Sequence, residues 1–142
     1  MTEQNKRLMR RDVEEVWNGA NYALVDEIVA SDYAGHQPRN EAKGQEGYKQ
    51  FFVMLRSAFP DIHFTIEDQI AEGDRVMARW TAHATHKGVF QGIPPTGKQG
   101  VVTGMTIYRV ANDKVVEGWT NVDELGMMQQ LGIIPAPRPA QV

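Results

Sequence analysis

The chain has 142 residues, no cysteine and a formal net charge of −3, so it fits one domain with one core and excludes disulfides, thiolate metal sites and a cysteine nucleophile. It has no block of basic residues, which argues against a nucleic-acid partner, and no apolar run near the roughly 20 residues of a membrane span. We therefore expect a cytoplasmic protein that acts on neither nucleic acid nor membrane.

Apolar residues at helical spacing predict three helices in the first 60 residues. One stripe runs from Leu8 to Trp17 and stops at Asn18-Gly19. A second, short helix is predicted from Ala23 to Ala30. The third and strongest stripe begins after Gly47 or slightly earlier and is ended by Pro60, because proline lacks the backbone N–H that would continue a helix.

After residue 62 the apolar pattern alternates, which predicts strands. The four predicted strands are His63–Ala71, Arg75–Thr85, Val101–Val110 and Lys114–Val122. Gly73-Asp74 and Asn112-Asp113 provide turns, and Glu124 to Leu131 is predicted as a closing helix. Helices followed by an antiparallel meander indicate the α+β class. We expect a single domain over residues 1–134 and a proline-rich tail over residues 135–142.

A turn at Asn112-Asp113 fixes the register of the last hairpin. It pairs Arg109 with Glu117, Ile107 with Trp119, Met105 with Asn121 and Thr103 with Asp123. The face that carries these residues mixes large apolar groups with a carboxylate and an amide, and such a mixture is typical of the wall of a ligand pocket. The pattern therefore predicts that Met105, Trp119 and Asn121 line a pocket.

Other polar residues permit two interpretations each. Asp123 stands directly before the last helix, where it is either a helix cap or an acid/base group that faces the pocket. Arg79 and Trp80 point to opposite faces of their strand, so at most one of them lines the pocket. If Arg79 lines the pocket, it is an oxyanion binder, and if it lies outside, it is a member of an ion pair. His83 and His86 also fall on opposite faces with no third ligand at a matching interval, so no metal site is predicted.

Three segments carry a family resemblance: residues 85–98, which include Gly92-Ile93-Pro94-Pro95-Thr96-Gly97; residues 119–123; and residues 129–132. Together they resemble the signature of the SnoaL-like polyketide cyclase, or ester cyclase, family within the nuclear transport factor 2-like superfamily. The resemblance implies a cone-shaped, curved antiparallel sheet packed by N-terminal helices around one pocket, the nuclear transport factor 2-like (cystatin-like) fold. It also implies acid/base chemistry without a cofactor.

The resemblance further implies roles for single residues. Asp123 corresponds to the general acid/base of the best-known cyclases. His36, in a Tyr-x-x-His segment, would polarise a substrate oxygen or relay a proton to it. The residues expected to bind substrate are Phe51, Arg79, His86, Met105, Trp119 and Asn121. The implied reaction is proton abstraction followed by intramolecular aldol closure of a small apolar or polyketide-like carbonyl compound.

The sequence leaves three other functions open, one of which is a degenerate pocket that serves only as a dimerisation scaffold. The chain is alternatively a non-catalytic protein that binds a small hydrophobic ligand, or an isomerase of the ketosteroid isomerase type. The isomerase ranks lower, because it needs a tyrosine and a second acid near the oxyanion, and Tyr108 falls on the strand face opposite Asp123. The resemblance also implies a homodimer.

Overall fold

The computed structural model describes residues 1–38 and 40–135. The chain begins with helix α1 (Thr2–Arg11), which continues without a break into a π-helical segment (Asp12–Asn18). A single 3₁₀ turn (Tyr22–Leu24) leads into the four-residue helix α2 (Val25–Ile28). The long helix α3 covers Gly44–Ala58, and the short helix α4 covers Glu124–Gln130.

Within the described residues, six strands form one curved, unclosed sheet. They are β1 (Val29–Gln37), β2 (Asn40–Lys43), β3 (His63–Glu72), β4 (Arg75–Thr85), β5 (Gln99–Ala111) and β6 (Lys114–Val122). Their order across the sheet is β2-β1-β6-β5-β4-β3. All neighbours are antiparallel except β1 and β6, which run parallel. The predicted α+β class is confirmed.

One face of the sheet is covered by α1 and α3, and we call it the inner face. Along β4 the residues Val76, Ala78, Trp80 and Ala82 are buried, whereas Arg75, Arg79 and His83, on the opposite face of the strand, are exposed. The buried residues form two apolar clusters: one joins α1, α3 and the sheet around Met9, Val16 and Tyr48, and the other lies around Phe59, Trp80 and Leu131. A functional cavity therefore has to lie on this inner side.

The sequence predicted the β4–β5–β6 meander closely. The structure pairs Met105 with Asn121, Ile107 with Trp119 and Arg109 with Glu117, as expected. Asn112 and Asp113 have φ angles of 54° and 61°, the left-handed conformation that a two-residue hairpin loop requires at both positions.

The N-terminal half departs from the prediction in two places. The second helix ends at Ile28 rather than Ala30, because Val29 already begins β1. Strands β1 and β2 were not predicted, and β1 makes the parallel pair with β6 that an antiparallel meander does not contain.

Residues 136–142 of the predicted proline-rich tail lie outside the described residues, so the domain boundary stays a prediction. Within the described part of the chain, no helix has the length and apolar character needed to cross a membrane.

Candidate functional site

A cavity of about 370 Å³ lies between the inner face of the sheet and the helices. Its wall is mainly apolar and aromatic, as is usual for sites that bind small molecules. Helix α3 contributes Phe51 and Leu55, and the segment after β4 contributes Phe90. The sheet contributes small side chains, including Ala78, Ala82, Ala84, Thr106 and Thr120. Because these side chains are small, the cavity keeps its volume although the surrounding core is closely packed.

The polar group of greatest interest is the Asp12 cluster, which consists of Asp12, Trp17, Tyr48 and Tyr108. The Asp12 carboxylate is fully buried, and one of its oxygens, Oδ2, accepts three hydrogen bonds. The donors are Tyr48 Oη at 2.5 Å, Tyr108 Oη at 2.6 Å and Trp17 Nε1 at 3.2 Å. Trp17, Tyr48 and Tyr108 all line the cavity, so the carboxyl group is one hydrogen bond away from three residues of its wall.

Asp12 is placed in the core by its helix. It lies one turn from Leu8 and one turn from Val16, so the three side chains share one helix face. The π-helical segment begins at Asp12, and π-helical turns occur frequently at functional sites. Burial raises the pKa of Asp12, while the hydrogen bonds from Tyr108, Tyr48 and Trp17 act in the opposite direction.

The tyrosines of the cavity share this environment. Burial raises the pKa of both Tyr48 and Tyr108 well above its ordinary value, and the nearby charge of Asp12 adds to the shift. Burial also raises the pKa of Tyr33, whose ring packs edge-on against Tyr48 with centroids 5.2 Å apart. These hydroxyl groups therefore stay protonated at neutral pH and can donate hydrogen bonds.

A second polar group of the wall lies on β4, β5 and β6. Trp80 Nε1 donates to Thr106 Oγ1 at 3.0 Å, and Thr106 Oγ1 lies 3.0 Å from Thr120 Oγ1. All three residues line the cavity. The arrangement uses the indole N–H internally and leaves the threonine hydroxyls as the groups that a ligand would meet.

Three residues expected to line the cavity lie on the outer face of the sheet instead. Met105 is 50% exposed, and Asn121 is also exposed. Trp119 packs outside the cavity. Its ring stacks on that of His36 with centroids 5.6 Å apart, and the Arg75 guanidinium lies over it, 5.0 Å from the ring centroid. The predicted register is right, but the face assigned to the cavity is wrong: the inner residues of β6 are Gly118, Thr120 and Val122.

Arg79 also lies on the outer face. Its guanidinium pairs with Asp68, with Nη2 2.7 Å from Oδ2, and both side chains are about half exposed. The alternative interpretation, in which Trp80 faces the cavity and Arg79 forms a surface ion pair, is therefore the one the structure supports.

Asp123 caps helix α4. Its Oδ1 accepts a hydrogen bond from the Gly126 N–H at 3.0 Å, and the residue is exposed. The described cavity wall includes the neighbouring Val122 and Glu124 but not Asp123. The cap interpretation is thus confirmed, and the expected desolvated position in the cavity is not found. The catalytic role of Asp123 stays a prediction that its position does not support.

His36 lies on β1 and takes part in an ion-pair network on the outer face. Its Nε2 is 2.9 Å from Glu117 Oε2, and Arg109 Nε is 3.2 Å from the other oxygen of the same carboxylate. The hydrogen bond that the His36 ring donates to the Glu117 carboxylate raises the pKa of His36. His36 is therefore not placed to polarise a ligand in the cavity.

His86 is fully buried rather than at the cavity rim. The Thr96 N–H donates to its Nδ1 at 3.2 Å, so the ring proton resides on Nε2, which has no partner among the described residues. Backbone hydrogen bonds join His86 to Gly97 and Lys98. His86 therefore holds together the two ends of the proline-rich loop, from which Phe90 reaches the cavity wall.

Phe51 is the one expected substrate-binding residue that the structure places in the cavity wall. Its role in binding stays a prediction. Within the part of the chain that the structure describes, no group of three or more histidine, aspartate or glutamate residues could hold a metal ion.

Three solved structures are similar to this chain over most of its length. A candidate polyketide cyclase from Acidithiobacillus ferrooxidans is 34% identical, with 92% of this chain and 95% of that chain covered and a TM-score of 0.81. IdmH, a candidate polyketide cyclase from Streptomyces antibioticus, is 30% identical, with 91% of this chain and 99% of that chain covered and a TM-score of 0.81. AclR, a candidate hydroxylase from Streptomyces galilaeus, is 27% identical, with 97% of this chain and 87% of that chain covered and a TM-score of 0.85.

No curated protein matches the chain significantly in sequence. A family model for SnoaL-like polyketide cyclases, however, matches residues 7–131, which contain both the cavity and the Asp12 cluster. Together with the fold, this match leads to one conclusion: the chain belongs to the SnoaL-like polyketide cyclase family.

Proposed function

We propose that this protein is a cofactor-independent enzyme of the polyketide cyclase type that closes a ring in a small, apolar carbonyl compound. The observation that carries the proposal is the cavity of about 370 Å³, which is apolar except for a few polar groups that include the Asp12 cluster. Family membership supports the reaction class, and IdmH supports it as a candidate polyketide cyclase with 30% identity.

The proposed chemistry is an intramolecular aldol closure. A base removes a proton from the carbon next to one carbonyl group, and the resulting enolate carbon attacks a second carbonyl carbon of the same molecule. The new alkoxide then takes a proton. An apolar cavity favours this reaction because it holds the flexible chain in a folded conformer with its reacting atoms close together.

The aromatic wall supports a planar or polyketide-like ligand. Trp17, Phe51 and Phe64 line the cavity, and the Trp17 ring lies 5.9 Å from each of the two phenylalanine rings in edge-on geometry. Flat apolar rings gain favourable contacts with such a wall.

A second candidate is an isomerase that moves a proton between two carbons of one ketone. The sequence ranked it lower because no tyrosine and acid were expected together in the pocket. The contact of Tyr108 with Asp12 supplies that pair. Isomerase and cyclase share the enolate-forming step and differ in whether a C–C bond forms next. A carrier that binds the ligand without turnover is the third possibility.

The outer face of the sheet supports the homodimer expected from the resemblance. Val101 and Met105 on β5 are 42% and 50% exposed on this face. A second copy that packs there would bury both side chains. Size-exclusion chromatography with light scattering tests the dimer, and Met105→Glu should dissociate it. The cytoplasmic location also stays a prediction.

The test of the function is product formation. The purified protein is incubated with aromatic compounds that carry a flexible chain with two carbonyl groups, and products are separated and identified by mass spectrometry and NMR. Ring closure supports a cyclase. A shifted double bond without a new ring indicates the isomerase, and saturable binding without any product indicates the carrier.

Two variants on one strand control for the location of the reaction. Ala84→Phe adds a ring to the cavity wall, whereas His83→Phe adds one to the exposed outer face of β4. We expect Ala84→Phe to lower both ligand affinity and product formation at least 10-fold and His83→Phe to change neither. Equal activity of both variants would place the reaction outside this cavity.

A further inference from the structure

We propose that Tyr108 is the residue that contacts a ligand oxygen in the cavity, and that the buried carboxyl group of Asp12 controls the proton of its hydroxyl. Asp12 is then a positioning residue that acts through Tyr108. The catalytic consequence of this inference rests on the proposed function, but the contact with the ligand does not, and it is tested without turnover.

The two tyrosines differ in the hydrogen-bonding capacity that their hydroxyl groups have left. Tyr48 Oη donates to Asp12 and accepts from Trp17 Nε1 at 2.8 Å, so its oxygen is already used in both directions. Tyr108 Oη donates to Asp12 at 2.6 Å, and its other hydrogen-bond contact within the described residues is the longer one with Tyr48 Oη at 3.3 Å. Among the hydroxyl groups of the cluster, that of Tyr108 therefore retains the most capacity for a ligand.

The number of protons in the Asp12 cluster determines whether it can donate a hydrogen bond to a ligand. When Asp12 is ionised, both tyrosyl protons point at its Oδ2, and the cluster can only accept a hydrogen bond from a ligand. When Asp12 carries a proton, it can donate to Tyr108 Oη. The Tyr108 proton is then free to point toward a carbonyl oxygen in the cavity. The protonation state of one buried carboxyl group thus decides whether the cluster accepts or donates.

The environment of the Asp12 carboxyl group disfavours its charged form. The other carboxyl oxygen, Oδ1, is buried and has no hydrogen-bond partner among the described residues. A buried charge with one unpaired oxygen is costly, so burial raises the pKa of Asp12 and favours its protonated form. A carboxylate with a raised pKa is a stronger base than an ordinary aspartate and is better suited to take up a proton during a reaction.

In the proposed closure the proton balance is complete. The proton on the carbon next to the carbonyl moves to Tyr108 Oη while the Tyr108 proton moves to Asp12 Oδ2, which leaves an enolate and a neutral Asp12. The enolate carbon forms the new C–C bond, and the electrons of the second C=O bond move to its oxygen. This alkoxide takes the Tyr108 proton, and Tyr108 recovers one from Asp12. The substrate is isomerised, and the cluster returns to its initial state.

The test uses acetophenone, a ketone that does not ionise, with a carbon-13 label in its carbonyl group. Its carbonyl stretching frequency falls when the oxygen accepts a hydrogen bond, so infrared spectroscopy of the bound ketone reports donation directly. Spectra are recorded across a pH series for the wild type, Tyr108→Phe and Asp12→Asn. Tyr22→Phe serves as the matched control, since it removes a hydroxyl group from a tyrosine that is 40% exposed and does not line the cavity.

In the wild type and in Tyr22→Phe, we expect a lowered carbonyl frequency at low pH that returns toward the free value in a single titration as Asp12 ionises. In Tyr108→Phe the frequency should stay near the free value at every pH, with affinity about 10-fold lower. In Asp12→Asn the frequency should not depend on pH. Circular dichroism shows whether each variant folds, and Tyr108→Phe decides the question if Asp12→Asn does not.

The proposal is overturned if Tyr108→Phe shows the same frequency shift and pH dependence as the wild type, or if the wild-type frequency never shifts. Its failure is distinct from failure of the proposed function. Ring closure that persists in Tyr108→Phe and Asp12→Asn would leave a cyclase with another acid/base group. A Tyr108-dependent frequency shift without any ring closure would leave a binding protein with this ligand contact.

Discussion

Tyr108 and Asp12 are 96 positions apart in the chain, yet the tyrosyl oxygen lies 2.6 Å from a carboxyl oxygen of Asp12. The same carboxyl oxygen accepts from Tyr48. One atom therefore connects the first helix, helix α3 and strand β5. Because the contact requires all three elements in place, it reports on the folded state as well as on the cavity.

The buried Asp12 predicts a distinctive pH dependence of stability. Its pKa is raised in the folded protein, so the folded state binds the proton more tightly than the unfolded state. The stabilising contribution is complete below the unfolded pKa of about 3.9 and is lost as pH rises through the raised folded value. Relative to Asp12→Asn, which cannot ionise, the wild type should lose about 1.4 kcal/mol for each unit by which its pKa is raised.

Urea denaturation of both proteins across a pH series measures this difference. Tyr108→Phe is a useful companion, because it removes one hydrogen bond that opposes the shift and should raise the pKa of Asp12 further. Parallel stability curves for wild type and Asp12→Asn would show that Asp12 keeps the same proton affinity on folding.

Gly118 is predicted to be essential to the shape of the cavity wall. A Cβ atom at this position of β6 would lie 2.7 Å from Tyr33 Oη and 3.2 Å from Tyr108 Cδ1. Gly118→Ala should therefore displace the tyrosines and cost about 1–3 kcal/mol of stability. Thermal and urea unfolding measure the cost, and the infrared probe should report a weaker hydrogen bond to the ketone.

Gly100 of β5 is the matched control for this substitution. A Cβ atom there would meet its nearest neighbour at 3.6 Å, which is an ordinary contact distance. Gly100→Ala should leave stability within about 0.5 kcal/mol of the wild type. A similar loss in both variants would mean that the effect comes from strand conformation rather than from the tyrosines.

The sequence predicts the fold better than the cavity, and the last hairpin shows why. Alternation and the Asn112-Asp113 turn determine which residues pair, and the pairing is confirmed. The mixture of large apolar and polar residues on its face suggested that Trp119 faces inward. The structure instead places Gly118 inward, because the buried rings of Tyr33 and Tyr108 need the space that a side chain would fill. Which face is inner thus depends on residues far away in the sequence.

Asp12 was missed for a similar reason. It lies in a charged stretch, Arg10-Arg11-Asp12-Val13-Glu14-Glu15, which looks like the solvated side of a helix. Its spacing of four from Leu8 and Val16 was the one local signal that it belongs to the buried stripe. The partners that make its burial tolerable, Tyr48 and Tyr108, come from other elements, so neither could be assigned to it from the sequence alone.

The outer-face pair of His36 and Glu117 predicts a second pH-dependent effect. The hydrogen bond between them raises the pKa of His36 and lowers that of Glu117. The His36 contribution is complete below its unfolded pKa and is lost as pH rises through the folded value. The Glu117 contribution is present above its unfolded pKa and is lost as pH falls through its lowered value. The pair therefore stabilises the fold between the lowered pKa of Glu117 and the raised pKa of His36.

NMR titration of the His36 ring protons measures this shift, with His36→Gln used to assign the signal. The midpoint should lie above the ordinary value of 6.5 and should fall in Glu117→Gln. Glu41→Gln should have a smaller effect, since Glu41 Oε1 is 3.4 Å from the ring compared with 2.9 Å for Glu117. If the His36 titration midpoint is the same in Glu117→Gln as in the wild type, the pair does not persist in solution.

Asp123 provides the sharpest comparison between the family expectation and the geometry. As the cap of α4, it holds a helix whose Met128 is buried against the core that surrounds the cavity. Asp123→Ala should cost about 1 kcal/mol, whereas Asp123→Asn retains a capping oxygen and should cost little. Unfolding measurements on the two variants test the cap.

Ring-closure assays test the role of Asp123 in the chemistry. If the proton passes through Tyr108 and Asp12, Asp123→Asn keeps its activity. Asp12→Asn then loses at least 100-fold in activity, as expected when an acid/base group is removed. The reverse result, an inactive but fully stable Asp123→Asn, would mean that this exposed carboxylate turns into the cavity when substrate binds, and the acid/base role would return to it.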